Sequence, residues 1–136
     1  MTNPTMTTSQ SISGAALWTG RILGGLVVVL MLLDAGIKVL KLDMAVKGTA
    51  QAGYPVSTVA PIGWLCLISV LIYAIPRTSM LGAILLTGYL GGAVATNVRL
   101  SSPLGFDLLP AILGALAWAA LWLRDEGLRA RIPLRR

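Results

Sequence analysis

The chain has 136 residues, of which 56% are apolar and only 12% are charged, and it carries a formal net charge of +6. A soluble domain is about 45–50% apolar and about 25% charged, so this composition excludes a soluble enzyme, a disordered chain and a nucleic-acid-binding protein. The cations stand at the ends of apolar runs, where they form no groove for nucleic acid. We therefore interpret the chain as a polytopic membrane protein whose first partner is the lipid bilayer.

The first part of the chain predicts a tail, a membrane span and a short helix. Residues 1–16 are rich in Thr and Ser and lack the basic segment of a signal peptide, so we expect an uncleaved, disordered tail. Residues 17–40 are apolar enough for a first span, since crossing about 30 Å of hydrocarbon takes about 20 helical residues. In the connector 41–58, Asp43 is a candidate helix cap and Gly53 a candidate helix end, which predicts a short interfacial helix.

The remainder predicts three more spans, over residues 59–75, 80–98 and 104–123. The short link between the second and third spans forces them to be antiparallel neighbours. Ser102 and Pro103 have the order of a helix cap and a first helical residue, so we expect them to start the fourth span. The fold class predicted is therefore all-α: an integral membrane four-helix bundle with up-and-down topology and a short interfacial helix between its first two spans.

The transmembrane domain predicted in this way covers residues 17–126, and a basic C-terminal tail follows over residues 127–136. Pro110 is expected to bend the fourth span. Trp118 and Trp122 stand one turn apart near the end of that span, as interfacial anchors do.

The distribution of charge predicts the orientation of the chain in the membrane. Four spans place both termini on the same side. The side with the termini would hold seven cations and the other side four: Arg21, Arg77, Arg124, Arg129, Arg131, Arg135 and Arg136 against Lys38, Lys41, Lys47 and Arg99. The positive-inside rule then predicts cytoplasmic N- and C-termini.

Gly88, Gly91 and Gly92 give the third span a face of small residues. Small residues let helices approach closely in lipid, where no hydrophobic effect drives helices together. We predict that these glycines pack within the bundle and make the third span its central helix. Packing between chains, in a homo-oligomer, is the alternative.

Asp34 and Lys38 are the strongest polar signal within a span. They stand one helical turn apart, with the acid on the N-terminal side, which is the better order for an ion pair. Ionisable residues in spans are rare and usually functional. Two interpretations stay open: a boundary pair that orients the first helix, or a buried pair that faces a cavity.

The polar residues of the third span have two interpretations: they form hydrogen bonds between helices, or they lie near that pair. Asn97 and Arg99 come at the end of the third span that lies on the same side of the membrane, and Asp107 could complete a charged network there. Trp64 is a core aromatic residue, an aromatic residue of the interfacial belt, or the apolar wall on which a quinone ring stacks. In the candidate site, the acid would orient the lysine and Asn97 would bond to a carbonyl oxygen. The candidate ligand-binding residues are Asp34, Lys38, Trp64, Asn97 and Arg99.

The composition also removes most catalytic and metal-binding chemistry. The chain has no His, which is the commonest metal ligand and general base. Its single cysteine, Cys66, allows no intramolecular disulfide, and five acidic residues are too few for a carboxylate-rich metal cage. These absences predict no metal site and favour a role other than catalysis.

Several sequence segments resemble those of the DoxX-like family of small bacterial membrane proteins. They are Asp34-Ala-Gly-Ile-Lys38, Gly53-Tyr54-Pro55, Pro61-Ile-Gly63, the long stretch 75–97 and the final Leu-Trp-Leu-Arg124-Asp125. The resemblance covers about residues 17–126 and implies a four-helix bundle in the bacterial cytoplasmic (inner) membrane. Two positions depart from the family: members often have His in place of Asn97, and broader members have Glu near Cys66. The resemblance therefore implies no metal or carboxylate role at these positions.

The resemblance also implies a class of function. Relatives are named for a subunit of a thiosulfate:quinone oxidoreductase, others are linked to membrane redox complexes, and distant ones assist membrane-protein assembly. We expect a non-catalytic membrane subunit or a protein that binds a quinone or lipid, with a redox-protein partner or a homo-oligomer as its assembly. The alternatives are a small-molecule or cation transporter resembling the small multidrug-resistance proteins, and a membrane assembly factor or structural partner.

Overall fold

The computed structural model describes residues 13–101 and 104–131, and of residues 104–107 the backbone alone. The described residues are almost entirely helical and contain no strand, which confirms the all-α prediction. The helices are α1 (Gly14–Val39), α2 (Asp43–Gln51), α3 (Val59–Ala74), α4 (Ser79–Arg99), α5 (Leu104–Arg124) and α6 (Glu126–Arg131).

Three segments are long and apolar enough to cross a membrane: Gly14–Val39, Val56–Ala74 and Ser79–Arg99. The second begins with a short 3-10 turn, Val56–Thr58, that runs into α3. The part of α5 with described side chains, Leu108–Arg124, is a shorter apolar helix. The chain therefore has the helices of a membrane protein.

The four long helices form a closed ring of contacts. α1 packs against α3 and α5, and α4 packs against the same two helices, so α1 and α4 stand at opposite corners. The centre holds fully buried side chains such as Val27, Met31, Leu86 and Tyr73. Tyr73 donates a hydrogen bond of 2.8 Å to the carbonyl oxygen of Ala117, which ties α3 to α5 and satisfies the buried hydroxyl.

Two glycines permit the closest helix contacts. A Cβ on Gly63 would lie 2.8 Å from the Cβ of Lys38, and a Cβ on Gly82 would collide with the backbone of Tyr73. Gly63 therefore sets the approach of α3 to α1, and Gly82 sets the approach of α4 to α3. Neither residue belongs to the glycine face that the sequence singled out.

The prediction that Gly88, Gly91 and Gly92 pack within the bundle is wrong. All three are exposed, and a Cβ at any of them would meet no atom within 4 Å. The physical reason is that α4 packs on its two neighbours through Gly82, Ala83, Leu86 and Leu90, and the three glycines lie on a different side of the helix.

The ends of the described chain are more helical than expected. α1 begins at Gly14, before the predicted start, and the Ser13 side chain accepts a hydrogen bond from the Ala16 backbone N–H as a helix cap. The predicted basic tail begins as α6, which packs on the buried core through Leu128. Residues 1–12, Ser102, Pro103 and residues 132–136 lie outside the described residues.

The predicted short connector helix is present as α2. Leu42 is its N-cap residue and makes no side-chain cap, so Asp43 is the first helical residue and not the cap. Gly53 ends the helix with a φ of +81°, a left-handed conformation that glycine adopts without strain. α2 thus lies against both α1 and α3, the two helices that it connects.

Candidate functional site

A cavity of about 530 Å³ lies beneath α2, between α3 and α4, and we call it the Lys38 cavity. The end of α1 contributes Lys38, α2 contributes Ala45 and Thr49, and α4 contributes Tyr89 and Asn97. Most of its remaining lining is apolar or glycine, such as Ile37, Met44, Ile62, Leu65, Gly88 and Gly92. The cavity therefore combines an apolar wall with a few polar groups, the usual composition of a small-molecule site.

Three polar side chains form a closed triangle at the wall of this cavity. The Lys38 ammonium donates a hydrogen bond of 2.7 Å to Asp34 Oδ2 and another of 2.6 Å to the Tyr89 hydroxyl. The Tyr89 hydroxyl in turn donates a hydrogen bond of 2.8 Å to the same carboxylate oxygen. Because α1 and α4 stand at opposite corners, the triangle links two helices whose backbones do not pack directly against each other.

The triangle is partly shielded from its surroundings. The side chains of Lys38 and Asp34 are 21% and 36% exposed. The buried Cys66 thiol of α3 lies 3.9 Å from Asp34 Oδ2 and 3.7 Å from the Met31 carbonyl oxygen. Ion pairing strengthens in such surroundings, because the local dielectric is low and water competes poorly.

Three contacts hold the end of α2 and the residues after it over the cavity. Arg99 Nη2 donates a hydrogen bond of 2.6 Å to the Ala52 carbonyl oxygen at the end of α2. The hydroxyl oxygens of Tyr54 and Thr96 lie 3.2 Å apart. The Arg99 guanidinium also lies 5.9 Å from the centre of the Tyr54 ring. Residues at the end of α4 therefore fasten the segment that covers the cavity.

The structure brings together most of the residues that the sequence proposed for a site. Asp34 and Lys38 are an ion pair, and Lys38 and Asn97 both line the cavity. Arg99 stands beside the cavity and fastens its cover, so its place is structural. Trp64 is 52% exposed and does not line the cavity, because its side chain points outward from α3. The side chain of Asp107 lies outside what the structure describes.

The sequence did not predict that Tyr89 contacts the ion pair. It also did not predict that α2 lies over a cavity. A signal for Tyr89 existed, because a tyrosine hydroxyl inside an apolar span needs a hydrogen-bond partner. The contribution of α2 had no such signal, since its apolar side is weak in the sequence. Among the described residues, no group of three His, Cys, Asp or Glu side chains could hold a metal ion.

Comparison with known proteins gives one finding. The model of the DoxX-like family matches residues 22–120 of the chain. This match includes the ion pair, α2 and the α4 residues of the cavity. No curated protein and no solved structure matches the chain.

Proposed function

Since the chain belongs to the DoxX-like family, we propose that it is a non-catalytic integral membrane protein that binds a quinone-like or lipid-like molecule in the Lys38 cavity. We further propose that it does so as a membrane subunit beside a redox or membrane-assembly partner. The Lys38 ammonium, fixed at the wall of an apolar cavity, is the observation that carries the ligand proposal.

The proposed topology is an up-and-down bundle in which α1, α3, α4 and α5 all span the bacterial cytoplasmic (inner) membrane. Leu17, Ser79 and Arg124 line one and the same cavity, so the start of α1, the start of α4 and the end of α5 lie at one end. Apolar side chains exposed on and before α2, including Met44 at 75% and Leu42, support a place for α2 in the membrane interface. The count of seven cations against four supports cytoplasmic termini.

The chemistry of Lys38 favours a ligand with an acceptor oxygen. An ammonium group has three N–H donors, and Asp34 and Tyr89 accept two of them. The third N–H can bond to a carbonyl oxygen of a ligand that lies in the cavity. The apolar lining would hold a ring or an acyl chain, and a volume of about 530 Å³ falls within the usual range for small-molecule sites. Quinones and lipid esters meet both requirements.

Filling the cavity tests this proposal. Gly92 lines the cavity and has free space around its Cα, so Gly92→Leu is expected to occupy the cavity without disturbing a helix contact. We expect this variant to bind a short-chain ubiquinone or a diacyl phospholipid about tenfold more weakly, which corresponds to about 1.4 kcal/mol. The measurements are equilibrium binding in detergent and mass spectrometry of solvent extracts.

Gly91→Leu is the matched control for this experiment. Gly91 has equally open surroundings on the next position of α4, but it does not line the cavity. The control should bind like the unchanged protein. If neither probe binds the unchanged protein, or if Gly92→Leu and Gly91→Leu bind equally, the cavity is not a ligand site.

A partner helix or a second copy of the chain is a second candidate, and the exposed glycine face supports it. Gly88, Gly91 and Gly92 would let the backbone of another helix approach closely. In that case Gly91→Leu should reduce the particle to a monomer with an unchanged fold, as measured by native mass spectrometry and by light scattering. A particle of unchanged mass would contradict an oligomer formed through this face.

A further inference from the structure

The charges around the Lys38 cavity determine which class of ligand can enter it. Among the described residues that line the cavity, Lys38 is the one with a charged side chain. Its ammonium lies 2.7 Å from the Asp34 carboxylate, which carries the opposite charge and is not part of the lining. The pair has no net charge, so a ligand in the cavity meets polar hydrogens and not an uncompensated cation.

The protein itself holds the carboxylate of this pair in place. Asp34 Oδ2 accepts hydrogen bonds of 2.7 Å from the Lys38 ammonium and 2.8 Å from the Tyr89 hydroxyl. The Cys66 thiol lies 3.9 Å from the same oxygen. Helices α1, α3 and α4 therefore each place a donor at Asp34, and the compensation of the Lys38 charge does not depend on a ligand.

The other charged side chains around α2 lie outside the cavity. Arg99 is exposed, and its Nη2 donates a hydrogen bond to the Ala52 carbonyl oxygen. The charged residues of α2 and of the turn before it are also exposed and do not line the cavity; they are Lys41, Asp43 and Lys47. Water and salt screen exposed charges, so these residues compensate no charge inside the cavity.

An ion that enters such a cavity loses its water and gains no free counter-charge. Burying a charge is costly unless a partner of opposite sign replaces the water. An anion finds the Lys38 charge already compensated by Asp34, and a cation finds no carboxylate on the described lining. A neutral carbonyl oxygen loses much less hydration and can accept the remaining N–H of Lys38.

We propose that the Lys38 cavity selects ligands whose enclosed part is uncharged and carries a carbonyl oxygen, and that it rejects anionic and cationic amphiphiles. This inference rests on the proposed function, because it assigns a ligand class to the same cavity. Quinone rings and acyl esters share the selected chemistry. Ionised fatty acids, alkyl sulfates and quaternary ammonium compounds belong to the rejected classes.

Probes that differ in charge test the proposal. Methyl palmitate, cetyl sulfate and cetyltrimethylammonium have chains of the same length, and a short-chain ubiquinone supplies an uncharged ring. Each is added at equal mole fraction to the full chain in nonionic detergent, and bound probe is measured by native mass spectrometry. We expect the tighter uncharged probe to bind about tenfold more strongly than either ion, which corresponds to about 1.4 kcal/mol. The order of the two uncharged probes distinguishes a ring ligand from an acyl ligand.

Asp34→Asn should change this selectivity in a defined direction. The variant leaves the Lys38 ammonium without a counter-charge, while the amide oxygen can still accept hydrogen bonds from Lys38 and Tyr89. We expect it to bind cetyl sulfate about tenfold more tightly than the unchanged protein does. Asp43→Asn is the matched control, because it changes the net charge by the same unit at an exposed residue outside the lining. The control should keep the preference for uncharged probes.

The outcomes separate this inference from the proposed function. If charged and uncharged probes bind equally and Gly92→Leu weakens them all, the cavity is a ligand site without charge selection, and the inference alone fails. Equal gains for cetyl sulfate in Asp34→Asn and Asp43→Asn would also overturn the inference, because a general surface attraction would explain them. If no probe binds the unchanged protein, or if Gly92→Leu leaves all binding unchanged, the proposed function fails and the inference fails with it.

Discussion

Gly82→Ala is expected to lower the free energy of unfolding by about 3 kcal/mol, at the upper end of the usual cost of overpacking. The added methyl group would collide with the backbone nitrogen and Cα of Tyr73. A flexible side chain could move aside, but here the obstacle is the main chain of α3. The contact of α4 with α3 would have to open, and the variant should show a lower midpoint in a denaturant titration in detergent and a smaller yield of monodisperse protein.

Gly91→Ala is the control for this prediction and should change stability in the opposite direction. It also lies inside α4, but its added methyl group would meet no atom within 4 Å. Replacing glycine by alanine within a helix commonly stabilises by about 0.4–1 kcal/mol, because the unfolded chain loses conformational freedom. Equal destabilisation by Gly82→Ala and Gly91→Ala would contradict the helix packing described above.

Lys38→Met is expected to lower the free energy of unfolding by about 2–3 kcal/mol. This loss is smaller than the full cost of breaking a buried ion pair, because both side chains are partly exposed. Among the described residues, the change leaves the Asp34 carboxylate with Tyr89 as its one strong hydrogen-bond donor. Asp34→Asn in the same chain removes the uncompensated charge, so the double variant should recover most of the loss. The measurement is a double-mutant cycle of unfolding free energies in detergent.

Tyr89→Phe completes that experiment. Its loss should be smaller, about 0.6 kcal/mol and at most about 1.7, which is the range for hydrogen bonds between membrane helices. In the Lys38→Met background it should cost more, because Tyr89 is then the remaining support of the carboxylate. If the losses from Lys38→Met and Asp34→Asn simply add, the two groups are not coupled, and the triangle does not stabilise the fold.

The sequence predicts the parts of this fold that depend on local pattern. The apolar runs and the prolines that bound them predict the long helices, and the spacing of Asp34 and Lys38 predicts their ion pair. The order of Asp43 and Gly53 predicts a short helix where α2 lies. Each of these features follows from residues close together in the chain.

Features that depend on how helices face one another could not be predicted in the same way. The Gly88–Gly92 step has the spacing of a packing face, yet the close contact forms at Gly82, because the spacing alone does not say which side of α4 meets a neighbour. The aromatic side chain of Trp64 suggested a wall of the pocket, but it points outward. Tyr89 meets Asp34 from 55 positions away, through a contact that only the rotation of α4 decides.

The cover formed by α2 has a consequence for the way in which a ligand would reach Lys38. Arg99 and Thr96 fasten this cover from the end of α4, while Gly88, Gly92 and Leu65 leave the side of the cavity open between α3 and α4. With α3 and α4 embedded in lipid, a molecule would enter sideways after dissolving in the leaflet. Occupancy would then follow the mole fraction of the molecule in the bilayer and not its concentration in water.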